Sequence, residues 1–266
     1  MPVKGKRRYI KLLQNIQNPG EYLFNKGKRT ERELNFVTKP NAISFPVPES
    51  LYQVFKEIFM EDVYDIGHLL KRLPPNPVVI DIGANAGFFD ILLLSKIRSA
   101  RIFAYEPLPS NTAYIEKVME KNPFMKQQVS LHQKAVTGTE KDELVLYMED
   151  TEDNQVVASV FDGFNKENLK KTVLPAISLT KIITENDLQK IDLLKMDCEG
   201  SEYDILRNSA PEILNRARFM SIEVHDVDDK ENNFASLKKY LEGLHYSLSY
   251  APINNFCYAV EAVKQD

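Results

Sequence analysis

The sequence predicts an α/β fold built on a Rossmann-like sheet with helices on both faces, and three features carry that prediction. Val78-Val79-Ile80-Asp81-Ile82 runs through a turn spaced by Gly83 and Gly87 into the apolar helical pattern of Phe88 to Ile97, which is how a buried parallel strand hands over to a helix. Apolar strand patterns and amphipathic helix patterns then alternate along the chain, as the crossovers of a parallel sheet require. Two last strand patterns, Tyr246 to Tyr250 and Phe256 to Val263, flank the turn residues Pro252 to Asn255 and form a terminal hairpin.

With 266 residues and 43% apolar composition, the chain can bury one large α/β core plus an appendage. Ten Lys/Arg against three Asp/Glu give residues 1–39 a charge of +7, which leaves −11 on the remainder. An acidic body argues against a nucleic-acid enzyme with a broad basic groove. Two cysteines, Cys198 and Cys257, cannot build a disulfide framework, so a reducing, cytoplasmic setting is expected. No signal-peptide pattern follows the basic N-terminus, and no apolar run is long enough to span a bilayer.

In chain order, residues 1–18 place Tyr9, Leu12, Leu13 and Ile16 at helical spacing behind the basic cluster Lys4, Lys6, Arg7, Arg8 and Lys11. The expected element is a short amphipathic helix docked on the body, with weak contact to an anionic membrane surface as its other use. Residues 19–48, marked by Pro40, Pro46 and Pro48, read as a loop-rich arm. Ser50 opens a helix through a capping box closed by Gln53, with Leu51, Val54, Phe55, Ile58 and Phe59 on its apolar face. A further helix over 63–73 stops at Pro74-Pro75. Residues 1–75 are therefore expected to form a helical, basic extension that contributes to or covers an acceptor site, and residues 76–266 the sheet domain.

Within that domain, Arg101 to Tyr105 is the second strand, ending in Glu106-Pro107, and Ser110 caps the helix carrying Ile115, Val118 and Met119. Val129 to Val136 is the third strand, and Asp142 to Met148 alternates as an antiparallel strand at the edge of the site. Thr151 to Lys171 has no pattern and reads as a lid or a surface excursion. Ile191 to Asp197 is a buried strand that turns through Cys198-Glu199-Gly200-Ser201-Glu202 into a helix. Phe219 to Val224 is another, ending in His225-Asp226, and Leu237, Tyr240 and Leu241 mark a helix closed by Gly243.

A ligand site belongs at the carboxyl ends of these strands. Gly83 and Gly87 permit the sharp turn and close backbone approach, and the free N–H groups of the following helix favour electron-rich ligand atoms. The spacing is GxxxG, unlike the GxGxxG that cradles a dinucleotide pyrophosphate, so S-adenosyl-L-methionine is the expected cofactor ahead of NAD. Asp81, Gly83, Asn85 and Gly87 are assigned to its amino-acid side. Glu106, 25 positions after Asp81, is assigned with Pro107 to the ribose. Asp197, Glu199 and His225 cluster at neighbouring strand ends as candidate catalytic groups: a neutral His225 as base, and Asp197 as base, orienting group or cofactor contact. A divalent ion on Asp197, Glu199 and Asp226 is chemically conceivable, but no metal signature accompanies it and none is expected. Cys198, beside acids that raise a thiol's pKa, is read as inert packing.

The chain resembles the FkbM family of S-adenosylmethionine-dependent methyltransferases. The resemblance rests on Val54-Phe55-Lys56-Glu57-Ile58-Phe59, Val79-Ile80-Asp81-Ile82-Gly83-Ala84-Asn85, Tyr105-Glu106-Pro107, Lys195 to Glu202, and Ile222-Glu223-Val224-His225, over roughly residues 54–262. It implies a seven-stranded sheet in the order 3-2-1-4-5-7-6 and methylation, mostly of hydroxyl oxygens, on natural products, glycans or similar small molecules. An NAD(P)-dependent oxidoreductase and a non-catalytic binding or scaffold module are the alternatives.

Overall fold

A computed structural model describes residues 3–25, 33–149, 158–159 and 168–265. The N-terminal region holds α1 (Arg7–Asn15), α2 (Gly20–Asn25), the hairpin β1 (Leu34–Val37) and β2 (Ser44–Val47), a 3₁₀ turn (Glu49–Leu51), α3 (Tyr52–Lys56), a π-helical turn (Glu57–Glu61) and α4 (Ile66–Arg72). Then follow β3 (Val78–Ile82), α5 (Phe88–Lys96), β4 (Arg101–Tyr105), α6 (Pro109–Lys121), α7 (Met125–Gln128), β5 (Val129–His132) and β6 (Ala135–Thr137). The chain continues with β7 (Glu143–Glu149), β8 (Ala158–Ser159), β9 (Asn168–Ser178), α8 (Leu179–Glu185), β10 (Leu193–Met196), α9 (Glu202–Asn208) and α10 (Pro211–Leu214). It closes with β11 (Phe219–His225), α11 (Phe234–Gly243), β12 (Tyr246–Asn254) and β13 (Cys257–Lys264).

Seven strands form the main sheet in the order β12-β13-β11-β10-β3-β4-β5. Numbered within the sheet domain this is 3-2-1-4-5-7-6, with β13 antiparallel between β11 and β12. The central strands β3 and β10 are buried throughout their cores, as strands covered by helices on both faces must be. Their parallel register sets Asp81 beside Lys195, which puts an acid and a base side by side in the middle of an apolar layer.

The N-terminal region packs into the same apolar mass as one face of this sheet. Phe36, Phe45, Phe55, Phe59 and Phe88 are all fully buried, with ring centroids 4.3 Å apart for Phe36–Phe55, 5.1 Å for Phe45–Phe59 and 5.6 Å for Phe45–Phe88. Each such ring contributes about 1.5–3 kcal/mol of burial, so the hairpin, the π turn and α5 are held as one block. Polar ties finish the placement. Asn15 donates to the Phe59 carbonyl at 3.0 Å, and Lys11 pairs with buried Asp62 at 2.6 Å. Asp62 in turn accepts from the Ile66 N–H that opens α4.

Several local expectations are corrected. Residues 19–48 contain α2 and the β1–β2 hairpin where a loop-rich arm was expected. These strands are only four residues long and include Pro46, which hid their alternation. No capping box forms at Ser50. Gln53 donates to Glu57 instead, one turn along, and the helix enters through the 3₁₀ turn. Ser110 lies inside α6, which starts with Pro109 at its first position. The third strand is split: β5 belongs to the main sheet, whereas β6 joins a second sheet, β6-β9-β7-β8. Asp142 to Met148 forms β7 as an antiparallel strand of that sheet. Most of Thr151 to Lys171 lies outside the described residues, apart from β8 and the start of β9. Among the described residues, no helix is long and apolar enough to cross a membrane.

Candidate active site

The carboxyl ends of β3, β4 and β10 open into a cavity of about 340 Å³. The sheet domain contributes Gly83, Asn85, Glu106, Pro107, Asp197, Glu199 and Glu223 to its wall, and the N-terminal region contributes Val54, Glu57, Ile58 and Tyr64. Six of the residues assigned from sequence therefore meet there. Asp81, Gly87 and His225 do not line it.

Gly83 takes a left-handed φ of +76°, and a Cβ at this position would lie 1.9 Å from the Asp197 carbonyl oxygen. Only glycine lets the turn after β3 pass this close to the end of β10. Asn85 is also left-handed, at φ 51°, and its Oδ1 accepts from the Ala86 N–H. Gly87 caps the N-terminus of α5 at φ 68°. Asp81, expected to touch the cofactor, is fully buried beneath this turn and is paired with Lys195, whose Nζ lies 2.9 Å from Asp81 Oδ1. The same Nζ donates to the Gly83 carbonyl at 2.7 Å. Asp81 thus acts on the turn through the lysine. Burial and the neighbouring Asp81 charge raise Asp90 well above the usual carboxylate range.

Glu106 is 4% exposed at the end of β4. Its Oε1 accepts from the Leu108 N–H at 2.9 Å and Asn111 Nδ2 at 3.2 Å, and its Oε2 accepts from the Asn85 N–H at 2.7 Å. A carboxylate oxygen accepts two hydrogen bonds, so among the described residues Oε1 is filled and Oε2 keeps one site. Burial pushes this carboxyl up to about 7 despite those donors. A carboxyl raised in the folded state stabilises the fold fully below its unfolded value of 4.5, and that contribution is lost as pH rises through about 7. The stability of Glu106→Gln relative to the parent should therefore rise by about 3 kcal/mol between the two limits. Denaturant unfolding at a series of pH values measures this, and parallel curves for the two proteins would contradict it.

Tyr64, missed from sequence, is placed by Asp62 and α4, and its hydroxyl donates to Asp197 Oδ2 at 2.8 Å. No hydrogen bond reaches Asp197 Oδ1 among the described residues. His225 ends β11 with its Nε2 3.3 Å from Glu199 Oε2 and 3.6 Å from Glu223 Oε1, and its Nδ1 3.3 Å from Glu202 Oε1. Glu202 is fully buried and also accepts the His225 N–H at 2.8 Å. Burial opposes a charge on this imidazole, but hydrogen bonds to Cys257 and Glu202 and the facing carboxylates push it up to about 12. These surroundings favour the protonated imidazole, in place of the neutral base expected from sequence. Burial also raises Glu199 to about 7 and Glu223 to about 8.

Glu223 is the other site residue missed from sequence. Its signal was available: two positions before His225 on a strand, it projects from the same face. Asp226 accepts from the Phe234 N–H, the first of α11, at 2.7 Å, and among the described residues its carboxylate does not come within ligand-atom reach of Asp197 and Glu199 together. Cys198 is raised well above the ordinary thiol range, chiefly by burial and then by Glu202.

Residues 81–248 match the family described as the methyltransferase FkbM domain. Among curated proteins, the AMB antimetabolite synthetase AmbE of Pseudomonas aeruginosa is 27% identical over 208 residues, 66% of this chain, which spans only 10% of that protein. Methyltransferase 1 of Beauveria bassiana is 25% identical over 74% of this chain and 81% of its own length. Methyltransferase sdnD of Sordaria araneosa is 25% identical over 64% and 73%. Among solved structures, methyltransferase FkbM from Methylobacillus flagellatus aligns with a TM-score of 0.48 and 13% identity, over 71% of this chain and 44% of that one.

Proposed function

Because the chain belongs to the FkbM methyltransferase family, we propose that it methylates a hydroxyl oxygen of a small-molecule, sugar or natural-product acceptor, with S-adenosylmethionine as donor. The observation that carries this reading is the charge of the cavity. Glu57, Glu61, Glu106, Asp197, Glu199 and Glu223 line it against Lys4, Lys134 and Lys195, and Lys195 is already neutralised by Asp81. Carboxylates in this wall, with those of Glu106, Glu199 and Glu223 joining as pH rises through about 7 to 8, attract a sulfonium and an ammonium group and repel a pyrophosphate, which favours S-adenosylmethionine over NAD. The open acceptor site on Glu106 Oε2 suits a ribose hydroxyl, and the glycine turn, with no Cβ at Gly83, suits a ligand lying against the backbone.

When bound, S-adenosylmethionine supplies an electrophilic methyl group. What remains for the chain is to position the acceptor and remove its proton, which are worth about 7–11 kcal/mol and 10²–10⁴-fold respectively. Asp197 is assigned the proton: it lines the cavity, Tyr64 fixes its Oδ2, and its Oδ1 stays open. Glu199 sits beside it, oriented by His225. The N-terminal region, through Val54, Glu57, Ile58 and Tyr64, forms the acceptor side.

Calorimetric titration with S-adenosylmethionine, S-adenosylhomocysteine and NAD, followed by transfer of a labelled methyl group to a panel of hydroxylated acceptors, tests the reading. The expected result is binding of the first two ligands and label on oxygen. Binding of NAD alone, or label appearing only on nitrogen or carbon, would overturn it.

A further inference from the structure

At the cavity wall, His225, Glu223 and Cys257 form a mixed nitrogen, oxygen and sulfur donor set whose ligand atoms all lie within 4.8 Å of one another. Glu223 and His225 are two apart on β11, and Cys257 stands directly opposite His225 in the antiparallel β11–β13 register. These three donors are therefore carried by the paired ends of two interior strands of the main sheet. Glu199 brings a fourth donor from the turn after β10, with its Oε2 3.3 Å from His225 Nε2.

We propose that this cluster is a binding site for a divalent transition metal, zinc by preference, held by His225 Nε2, Glu223, Cys257 Sγ and Glu199. Three of the donor separations match the edges of a coordination shell. With zinc bonds of about 2.0–2.3 Å to N, O and S, the edges of a tetrahedron measure about 3.3–3.6 Å. Here Nε2 lies 3.3 Å from Glu199 Oε2 and 3.6 Å from Glu223 Oε1, and Cys257 Sγ lies 3.2 Å from Glu223 Oε1.

The second ring nitrogen supplies independent support. A histidine that binds metal through one nitrogen almost always donates the other N–H to a carboxylate, which fixes its tautomer. His225 Nδ1 faces Glu202 Oε1 at 3.3 Å, and Glu202 is itself fixed by the Gly200 N–H at 2.8 Å and the His225 N–H at 2.8 Å. With Nδ1 committed to Glu202, the Nε2 position between two carboxylates holds either a proton or a metal ion. Binding displaces that proton and the Cys257 thiol proton to solvent, with no change in oxidation state. Glu199 and Glu223 also line the cavity, which gives the ion an entry path. A soft sulfur with an imidazole and carboxylates favours zinc or cobalt over magnesium or calcium. No metal-ligand spacing marks this set along the chain, where Cys257 lies 34 positions from Glu223.

The test is metal binding by the full chain, independent of methyl transfer. Chelator-stripped protein is loaded with zinc, dialysed and analysed for metal, and a parallel sample is loaded with Co²⁺ for absorption spectroscopy. One zinc per chain is expected, together with tetrahedral cobalt bands and a sulfur-to-cobalt charge-transfer band that Cys257→Ser abolishes. His225→Gln should lose retained zinc, and Glu202→Gln should weaken affinity by about 10–100-fold, as for other carboxylates that orient a ligating histidine. Circular dichroism and S-adenosylmethionine calorimetry on each variant separate metal loss from misfolding. Absence of retained zinc in the parent, or equal zinc content in the parent and in folded His225→Gln and Cys257→Ser, would overturn the proposal and leave the methyltransferase reading standing.

Discussion

Asp197→Asn is expected to lower kcat by about 10²–10⁴-fold, or about 3–5 kcal/mol on the barrier, with cofactor affinity close to unchanged. Asparagine keeps the shape of the side chain and can still accept the Tyr64 hydroxyl that now meets Asp197 Oδ2 at 2.8 Å. What it cannot do is take a proton from an acceptor hydroxyl. Asp197 also stands among Glu199 and Glu223, whose carboxyls its charge helps to raise, so removing that charge relieves repulsion and does not open a packing defect. Steady-state kinetics with calorimetric titration separates the alternatives. A fall in kcat alone identifies a proton acceptor. A fall in S-adenosylmethionine affinity with kcat retained would instead make Asp197 the anchor of the cofactor's ammonium group, and no change in either would remove it from the site.

The main sheet was legible because its strands are apolar runs closed by polar turns, from Val78-Val79-Ile80 to Phe219-Met220-Ser221-Ile222. Of the second sheet only β7 was. Its long strand β9 begins with Asn168-Leu169-Lys170-Lys171-Thr172, a mostly polar half that carries no clear alternation, and β6 looks like a continuation of β5 until the chain changes sheets after His132. At the site, residues at strand ends could be named from order alone, since the carboxyl edge of a parallel sheet is where ligands bind. Partnership could not. Tyr64 reaches Asp197 across 133 positions, and Asp81 is turned toward Lys195 by a register visible only once strands are paired. The partner of His225 Nδ1 is Glu202, which sequence alone would place as a helix N-terminal acid.

Lys195→Met is expected to destabilise the protein by about 3–5 kcal/mol, the usual result of removing one partner from a buried ion pair. Lys195 is 2% exposed, and its pKa is raised because Asp81 and Asp197 outweigh the burial that opposes its charge. Methionine fills the volume and keeps contact with Phe89 and Tyr64, whose rings flank the ammonium at 6.0 and 5.7 Å. It leaves Asp81 charged in an apolar layer and the Gly83 carbonyl without its donor. Against a total stability of about 5–15 kcal/mol, that is a large fraction. The deficit should depend on pH with a definite sign. Without the lysine, Asp81 holds its proton more tightly folded than unfolded, so its contribution is intact at acid pH and is lost as pH rises through the folded value. Urea unfolding should therefore show a larger deficit at pH 8 than at pH 5. Lys195→Met with Asp81→Asn should recover much of the loss, because replacing both members of a buried pair leaves no uncompensated charge. A single variant within 1 kcal/mol of the parent, or a double variant no better than the single, would show that this pair does not hold the turn after β3 in place.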